Sequence, residues 1–244
     1  MEQEFFDINK FPKEKGLIIF PISMSRVDNA QSAKECVEVL FFFKEKVQTP
    51  NIGVVTLYTE GLYMNFEDKA YETKNAFIQK MISHMQGFKG LLTKNHMDLQ
   101  IHDAFSFVSW FQMVLSHNDF LGVFHKAKKL FETDEIFRAI LEEDAQKTGR
   151  EFDEKQINFY LEEHTFAYLA LNNKLDFKNP FTHNEEEWSL IVYPGKPPKG
   201  QIYFYQQDVL AINSENKNLY KGQYDSVEKK FYDYSKIDVD TFVM

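Results

Sequence analysis

A short apolar run near the start of the chain constrains its fold more than any other feature. Residues 17–22 read LIIFPI, with no polar side chain among them. Such a run is typical of a strand that is buried on both faces, as strands are inside a parallel sheet. The sequence therefore predicts a buried first strand whose carboxyl end leads into the polar residues after Ile22.

Segments with the patterns of strands and helices alternate after this run. Asp28 and Gln31 have the spacing of a capping box, and a helix is predicted to follow them. Further strands are predicted at 52–58, 97–101, 189–193 and 201–206, and helices at 66–92, between 103 and 147, and at 154–171. This alternation predicts one α/β domain over 1–244 with a doubly wound sheet, in which ligands bind at the carboxyl ends of strands.

Composition limits the partners and the compartment that fit the chain. The 28 basic and 37 acidic residues give a net charge of −9, so a nucleic acid would need a local basic face. The single cysteine, Cys36, has no internal disulfide partner, and its apolar neighbours predict a buried, inert thiol. The apolar runs are too short to span a bilayer, so we expect a cytoplasmic protein without a membrane segment.

Ser23 has the position of an exposed nucleophile. It directly follows the first strand and precedes a helix, whose N-terminus would favour developing negative charge near the hydroxyl. A turn or capping serine fits the same position. The loop lacks both a G-x-S-x-G elbow and the glycine patterns of nucleotide-binding loops, which argues against an α/β-hydrolase and against a nucleotide site.

Two adjacent glutamates on the predicted helix at 154–171 differ in their neighbours. The residues three and four positions from Glu163 are apolar or aromatic, whereas those around Glu162 include Asn158 and Thr165. Glu163 is therefore predicted to face inward and Glu162 to face water. A desolvated carboxylate has a raised pKa, which suits a general acid–base or an amine-binding group. A structural glutamate paired with Lys or Arg is the alternative.

Tyr193 is a third candidate at the same edge of the sheet. It ends the apolar strand at 189–193 and directly precedes Pro194. Its hydroxyl would reach the crevice that also holds Ser23. A strand-end tyrosine with its ring in the core and its hydroxyl in water is the common alternative.

Histidines and lysines give weaker signals. The seven histidines show no metal-ligand spacing, so no metal is predicted, and His164 is interpreted as a packed or surface residue. Lysines cluster in two helical stretches, which are either solvated faces or phosphate contacts. One cluster comprises Lys74, Lys80, Lys89 and Lys94, and the other comprises Lys126, Lys128 and Lys129.

These features together resemble the tRNA-dependent cyclodipeptide synthases. That family has a first strand ending in G-I-S before a polar turn and a helix, and here the strand ends in Pro21-Ile22-Ser23. A later family helix carries Y-x-x-x-E, which aligns with NFYLEE at 158–163. In one family branch a later strand ends in Tyr-Pro, as Tyr193-Pro194 does here. The resemblance covers roughly residues 16–207.

Three positions depart from the family pattern. Pro21 replaces a glycine, and proline keeps its carbonyl but has no N–H to donate. Phe159 replaces the tyrosine four residues before the glutamate, so a hydroxyl expected to hold the substrate's amino group is lost, and Tyr160 or His164 would have to substitute. Arg26 stands where the other branch has asparagine. Pro21, Arg26, Phe159 and Tyr160 are the predicted substrate-binding residues.

The resemblance implies a Rossmann-like, mostly parallel sheet flanked by helices, similar to the catalytic domain of class I aminoacyl-tRNA synthetases. It implies a ping-pong reaction on two aminoacyl-tRNAs, through an aminoacyl-enzyme and then a dipeptidyl-enzyme on Ser23, with release of a diketopiperazine. Glu163 would bind the α-ammonium group and relay protons, and Tyr193 would assist ring closure. Neither a metal nor ATP is implied, because the ester is already activated.

The partners follow from the same resemblance. The lysine cluster within 74–94 is predicted to hold tRNA, and the chain is expected to act as a monomer. Two other interpretations stay open. A non-catalytic aminoacyl-tRNA-binding protein would bind tRNA without an adduct on Ser23, and a Rossmann-like enzyme acting on a small metabolite would not bind tRNA.

Overall fold

The chain is represented by a computed structural model that describes residues 16–23, 26–46, 52–58, 71–95, 105–110, 120–172, 188–209 and 220–243. Strands β1 to β6 are Gly16–Ile22, Ile52–Tyr58, Phe105–Ser109, Trp188–Tyr193, Gly222–Asp225 and Lys230–Asp233. Helices α1 to α6 are Ala33–Lys46, Tyr71–Lys94, Phe120–Thr133, Glu135–Lys147, Glu154–Leu171 and Lys199–Gln206. Within these ranges no helix combines the length and the apolar content that crossing a bilayer requires.

The strands form one mixed sheet in the order β3-β2-β1-β4-β5-β6. All neighbouring strands run parallel except β5 and β6, which are antiparallel. The chain builds β1, β2 and β3 outward in one direction and then places β4 on the other side of β1. This reversal beside β1 is the topological switch point, where ligands bind in open α/β sheets.

Alternate residues of β1 pack on opposite faces of the sheet. Leu17 and Ile19 belong to the core shared with α3 to α6, whereas Ile18 and Phe20 belong to the core shared with α1 and α2. Helices therefore cover both faces, which confirms the predicted mostly parallel, Rossmann-like sheet and explains why β1 is apolar throughout. Cys36 is buried in the second core, and this burial raises the pKa of its thiol to about 12.

One predicted element is wrong, and one strand is not predicted. Residues 201–206 form most of helix α6 and not a strand; the buried Asp144 carboxylate accepts the Gly200 N–H at 2.8 Å and so caps this helix from outside its own sequence. The helices predicted between 103 and 147 are present as α3 and α4, but 105–109 form the additional strand β3 beside β2. The strand predicted at 97–101 lies outside the described residues.

The predicted capping box is also wrong. Helix α1 begins at Ala33, and the Ser32 hydroxyl accepts the Glu35 N–H at 3.3 Å. The Gln31 side chain turns instead toward β1, where it bonds the backbone of Pro21 and Ser23. A side chain that can reach a nearby strand end thus competes with the local capping pattern.

Candidate active site

A cavity of about 280 Å³ opens at the carboxyl ends of β1 and β4, against helix α5. Ser23 follows the end of β1, Tyr193 ends β4, and Glu163 lies in the middle of α5; all three line the cavity. Pro21, Arg26, Phe159 and Tyr160 line it as well. The structure therefore brings the seven predicted catalytic and substrate-binding residues to one site.

Ser23 and Tyr193 are in direct contact. Their side chains are hydrogen-bonded to each other, so the two hydroxyls meet where the strands end. Burial raises the pKa of Tyr193, and the neighbouring Arg26 guanidinium acts in the opposite direction. The tyrosine therefore remains a neutral hydroxyl at neutral pH, able to donate or accept one proton in a bond with Ser23.

Arg26 connects the turn after β1 to the end of β4. Its guanidinium donates to the Pro194 carbonyl at 2.7 Å and lies 5.1 Å from the centre of the Tyr193 ring. Cation–π contact and the carbonyl bond together fix the tyrosine beside Ser23. In the structure Arg26 contacts other residues of the protein. Its role in binding substrate stays a prediction.

The loop after β4 is held from two further strand residues. Gly195 has a φ of 102°, a backbone conformation that side-chain-bearing residues rarely adopt. Its N–H donates to Asp225 at 2.9 Å, and its carbonyl accepts from the Gln223 side chain at 2.8 Å. These bonds fix the backbone of the loop that follows Tyr193.

The two adjacent glutamates of α5 differ from the prediction in one respect. Glu163 is half-buried and lines the cavity, but Glu162 does not face water: it is fully buried and accepts a hydrogen bond from the Trp110 indole N–H. The prediction for Glu162 fails because α5 is covered on nearly all sides from Tyr160 to Leu171. The helical-face argument requires one face in solvent, and this helix has none there.

The comparisons with known proteins bear on this arrangement. The sequence matches no protein-family model and no curated protein. Its structure superposes on a cyclodipeptide synthase of Fluoribacter dumoffii with a TM-score of 0.59 and 12% identity, over 89% of this chain and 92% of that one. The fold is that of the cyclodipeptide synthases.

Two further solved structures agree with this likeness. A synthase of Staphylococcus haemolyticus gives a TM-score of 0.51 at 13% identity, over 88% of this chain and 90% of that chain. A Mycobacterium tuberculosis protein gives 0.52 at 11% identity, over 80% and 78%, and its structure is described as relating cyclodipeptide synthetases to type I tRNA synthetases. The predicted likeness of the sheet to that of the synthetases is thereby confirmed.

The departures from the cyclodipeptide synthase pattern are now visible in three dimensions. The Arg150 guanidinium lies 4.9 Å from the centre of the Phe159 ring, and both residues line the cavity. The Tyr160 hydroxyl lines the same wall, 3.1 Å from the Thr148 hydroxyl. His164 is buried against the Tyr160 ring, does not line the cavity, and has no hydrogen-bond partner at either ring nitrogen among the described residues. Tyr160 therefore remains as a substitute for the missing hydroxyl, and His164 does not.

Several cavity residues of this cyclodipeptide synthase fold were missed by the sequence reasoning. Trp110 and Phe166 form an aromatic wall, with their ring centres 5.2 Å apart. Asp144 also lines the cavity, and burial raises the pKa of its carboxyl to about 6 despite the bond from Gly200. No motif marks these residues, because each reaches the cavity through tertiary packing alone.

The predicted tRNA-binding lysines lie away from the cavity. Lys74, Lys80, Lys89 and Lys94 belong to α2, which covers the face of the sheet opposite to α5; the side chain of Lys74 lies outside the described part of the structure. Lys80 forms an ion pair with Asp28 at 2.7 Å, and Lys89 and Lys94 are exposed. Across the described ranges no three His, Cys, Asp or Glu side chains are grouped to hold a metal ion.

Proposed function

We propose that the chain is a cyclodipeptide synthase that joins the aminoacyl groups of two aminoacyl-tRNAs through an acyl-enzyme on Ser23. One observation carries the proposal: Ser23, Glu163 and Tyr193, from three separate elements, line one cavity at the switch point of a sheet with the synthase fold. Loss of one hydroxyl at Phe159 leaves the nucleophile, the carboxylate and the strand-end tyrosine in place.

In the first half-reaction the Ser23 oxygen attacks the ester carbonyl of an aminoacyl-tRNA. A C–O bond forms to Ser23 as the ester bond to the terminal ribose breaks, and the serine proton goes to the departing ribose oxygen. The hydrogen bond between Ser23 and Tyr193 holds the attacking oxygen at the cavity wall. Glu163 binds the α-ammonium group of the aminoacyl chain, since a carboxylate is an acceptor and an ammonium is a donor.

In the second half-reaction the aminoacyl-enzyme becomes the nucleophile. Glu163 takes a proton from the α-ammonium group, and the free amine attacks the ester carbonyl of the second aminoacyl-tRNA. The nitrogen loses one more proton as the amide bond forms, and this proton goes to the ribose oxygen of the departing second tRNA. A dipeptidyl-enzyme remains on Ser23, and Glu163 releases its proton to water. The terminal amine of the dipeptide then attacks the Ser23 ester, which closes the six-membered ring and returns the proton to the serine oxygen.

The decisive experiment is transfer of label to the protein. Incubation with labelled aminoacyl-tRNA should leave a covalent label on the wild-type chain, and mass spectrometry should detect a cyclodipeptide in the medium of expressing bacteria. Ser23→Ala should abolish both, while Ser25→Ala, the matched variant two residues further along the sequence, should keep both. Binding of tRNA without label would support the non-catalytic interpretation, and absence of tRNA binding would support a small-metabolite enzyme.

A further inference from the structure

A buried glutamine holds the backbone that carries Ser23. Gln31 lies between β1 and α1 and is 2% exposed. Its side-chain oxygen accepts the Ser23 N–H at 2.9 Å, and its side-chain nitrogen donates to the Pro21 carbonyl at 2.6 Å. One planar amide thus bridges the chain on both sides of Ile22.

Gln31 is itself fixed by its own backbone. Its N–H donates to the Arg26 carbonyl at 2.9 Å, and its carbonyl lies 2.8 Å from Nε2 of the buried His84. A carbonyl can only accept, so Nε2 carries the proton and Nδ1 accepts from the Tyr58 hydroxyl at 3.0 Å. Burial lowers the pKa of His84, in keeping with this neutral ring. The glutamine is therefore connected to β2 and α2.

The strand ladder does not hold this part of β1 on the β4 side. The pairing of β1 with β4 ends at Ile19 and Ile191, two residues before Pro21. Proline has no N–H for a ladder bond. Pairing with β2 continues to Ile22, so the β2 ladder holds one side of this backbone. The amide of Gln31 adds both a donor and an acceptor where the ladder with β4 has ended.

We propose that Gln31 is a positioning residue that fixes the direction of the Ser23 hydroxyl toward Tyr193 and the cavity. The inference rests on the proposed function, because it assigns Gln31 a role through the nucleophile. The direction of a side chain follows from the backbone that carries it, and a misplacement of about 1 Å at a reacting atom can cost about 100-fold in rate. Gln31 acts without touching the substrate.

The test compares the rate and the extent of single-turnover labelling of the protein by aminoacyl-tRNA. Gln31→Met keeps the length of the side chain and removes both hydrogen bonds. We expect labelling at least about tenfold slower, on the scale of a displaced reacting group, with the same final labelled fraction. Gln206→Met is the matched control, because it too removes two side-chain bonds to the backbone, which Gln206 donates to the carbonyls of Tyr234 and Ile237, but Gln206 lies outside the cavity.

A second variant tests the donor alone and covers the case in which Gln31→Met does not fold. Gln31→Glu has the same shape, but its carboxylate cannot donate to Pro21, whereas its protonated form can. The ratio of variant to wild-type labelling rates should therefore rise as the pH falls from about 8 to about 6, since burial raises carboxyl pKa values into this window. The titratable groups around Gln31 are His84, Cys36 and Tyr58, and Asp28 and Arg26 lie in the same turn. The wild type has all of these groups, so their effect on the rate cancels in the ratio.

The outcomes separate the two proposals. A wild-type rate for Gln31→Met, or a smaller labelled fraction formed at the wild-type rate, would overturn the positioning role, because the second result is what partial unfolding gives. A pH-independent ratio for Gln31→Glu would overturn it as well. A wild-type chain that takes up no label would instead refute the proposed function, whatever the variants do.

Discussion

The side chains of Ser23 and Tyr193 are hydrogen-bonded to each other where β1 and β4 end. Tyr193→Phe removes this bond but keeps the ring that lies against Arg26. We expect cyclodipeptide formation to slow by up to about 100-fold, because the Ser23 oxygen is no longer held in place and a misplaced reacting atom costs rate on this scale. The rate is measured by mass spectrometry of the product, and the thermal melt should change little.

Tyr203→Phe is the matched control for this variant. It removes a hydroxyl that donates to Asp134 at 2.7 Å, away from the cavity. Its rate should equal that of the wild type. Equal rates for both variants would mean that the Tyr193 hydroxyl contributes nothing to the reaction.

Glu163→Gln tests the proposed amine site. Glutamine keeps the shape but can neither take a proton nor offer a charge to an ammonium group. We expect a folded protein that forms product about 100-fold more slowly, the usual scale for losing a general acid–base. Glu142→Gln, on the exposed side of α4, is the control and should be silent. Glu162→Gln is unsuitable as a control, because Glu162 is buried and bonded to Trp110.

Lysines on α2 are predicted to hold tRNA phosphates. The exposed Lys89 and Lys94 should each contribute about 0.7 to 0.9 to the slope of log affinity against log salt if each contacts one phosphate. Lys89→Ala and Lys94→Ala should lower that slope, measured by filter binding at several salt concentrations. Lys80 should contribute less, because it already pairs with Asp28. A slope that changes only with Lys129→Ala would move the tRNA site to α3.

The buried His164 should make stability fall on acidification. Burial lowers its pKa to about 3, whereas the unfolded value is near 6.5. As the pH falls below 6.5 the unfolded chain gains a proton that the folded chain refuses, so the free energy of unfolding falls. Urea unfolding of His164→Leu between pH 6 and pH 4 should show a slope against pH that is smaller than wild type by up to about 1.4 kcal/mol per pH unit.

Protonation of Asp144 has the opposite effect on stability between pH 6 and pH 4. Its folded pKa is raised to about 6 by burial, so the folded chain gains a proton before the unfolded chain does and stability rises on acidification. The comparison of His164→Leu with wild type therefore isolates the histidine, since Asp144 is present in both. An identical slope in the two proteins would mean that His164 is protonated in the folded state.

Local sequence patterns predict the elements that are buried in the same way on all sides. β1 is apolar throughout and lies between two helical layers, so its sequence is sufficient to identify it. Residues 201–206 are predicted as a strand but form a helix, whose first turn is capped by Asp144, 56 residues away from Gly200 in the sequence. A local sequence pattern cannot show a hydrogen-bond partner that is this far away along the chain.

The site was predictable to the extent that strand ends define it. Ser23 and Tyr193 follow from their positions at the ends of apolar strands, and Glu163 from its neighbours on α5. The sequence places Gln31 in a capping box, because the local spacing is all that it shows. The bonds of Gln31 to Ser23 and Pro21 form only when the turn folds back on the strand. Residues that hold others in place carry ordinary residue types, and their role appears only in the geometry.

The unequal ladders on the two sides of β1 have one more consequence. Pairing with β2 continues to Ile22 and Tyr58, but pairing with β4 stops at Ile19 and Ile191. Pro21 on β1 and Tyr193 on β4 lie beyond the last paired residues, and both line the cavity. The site therefore lies where the two strands separate, and its walls on both strands are built from residues that the β1–β4 ladder has released.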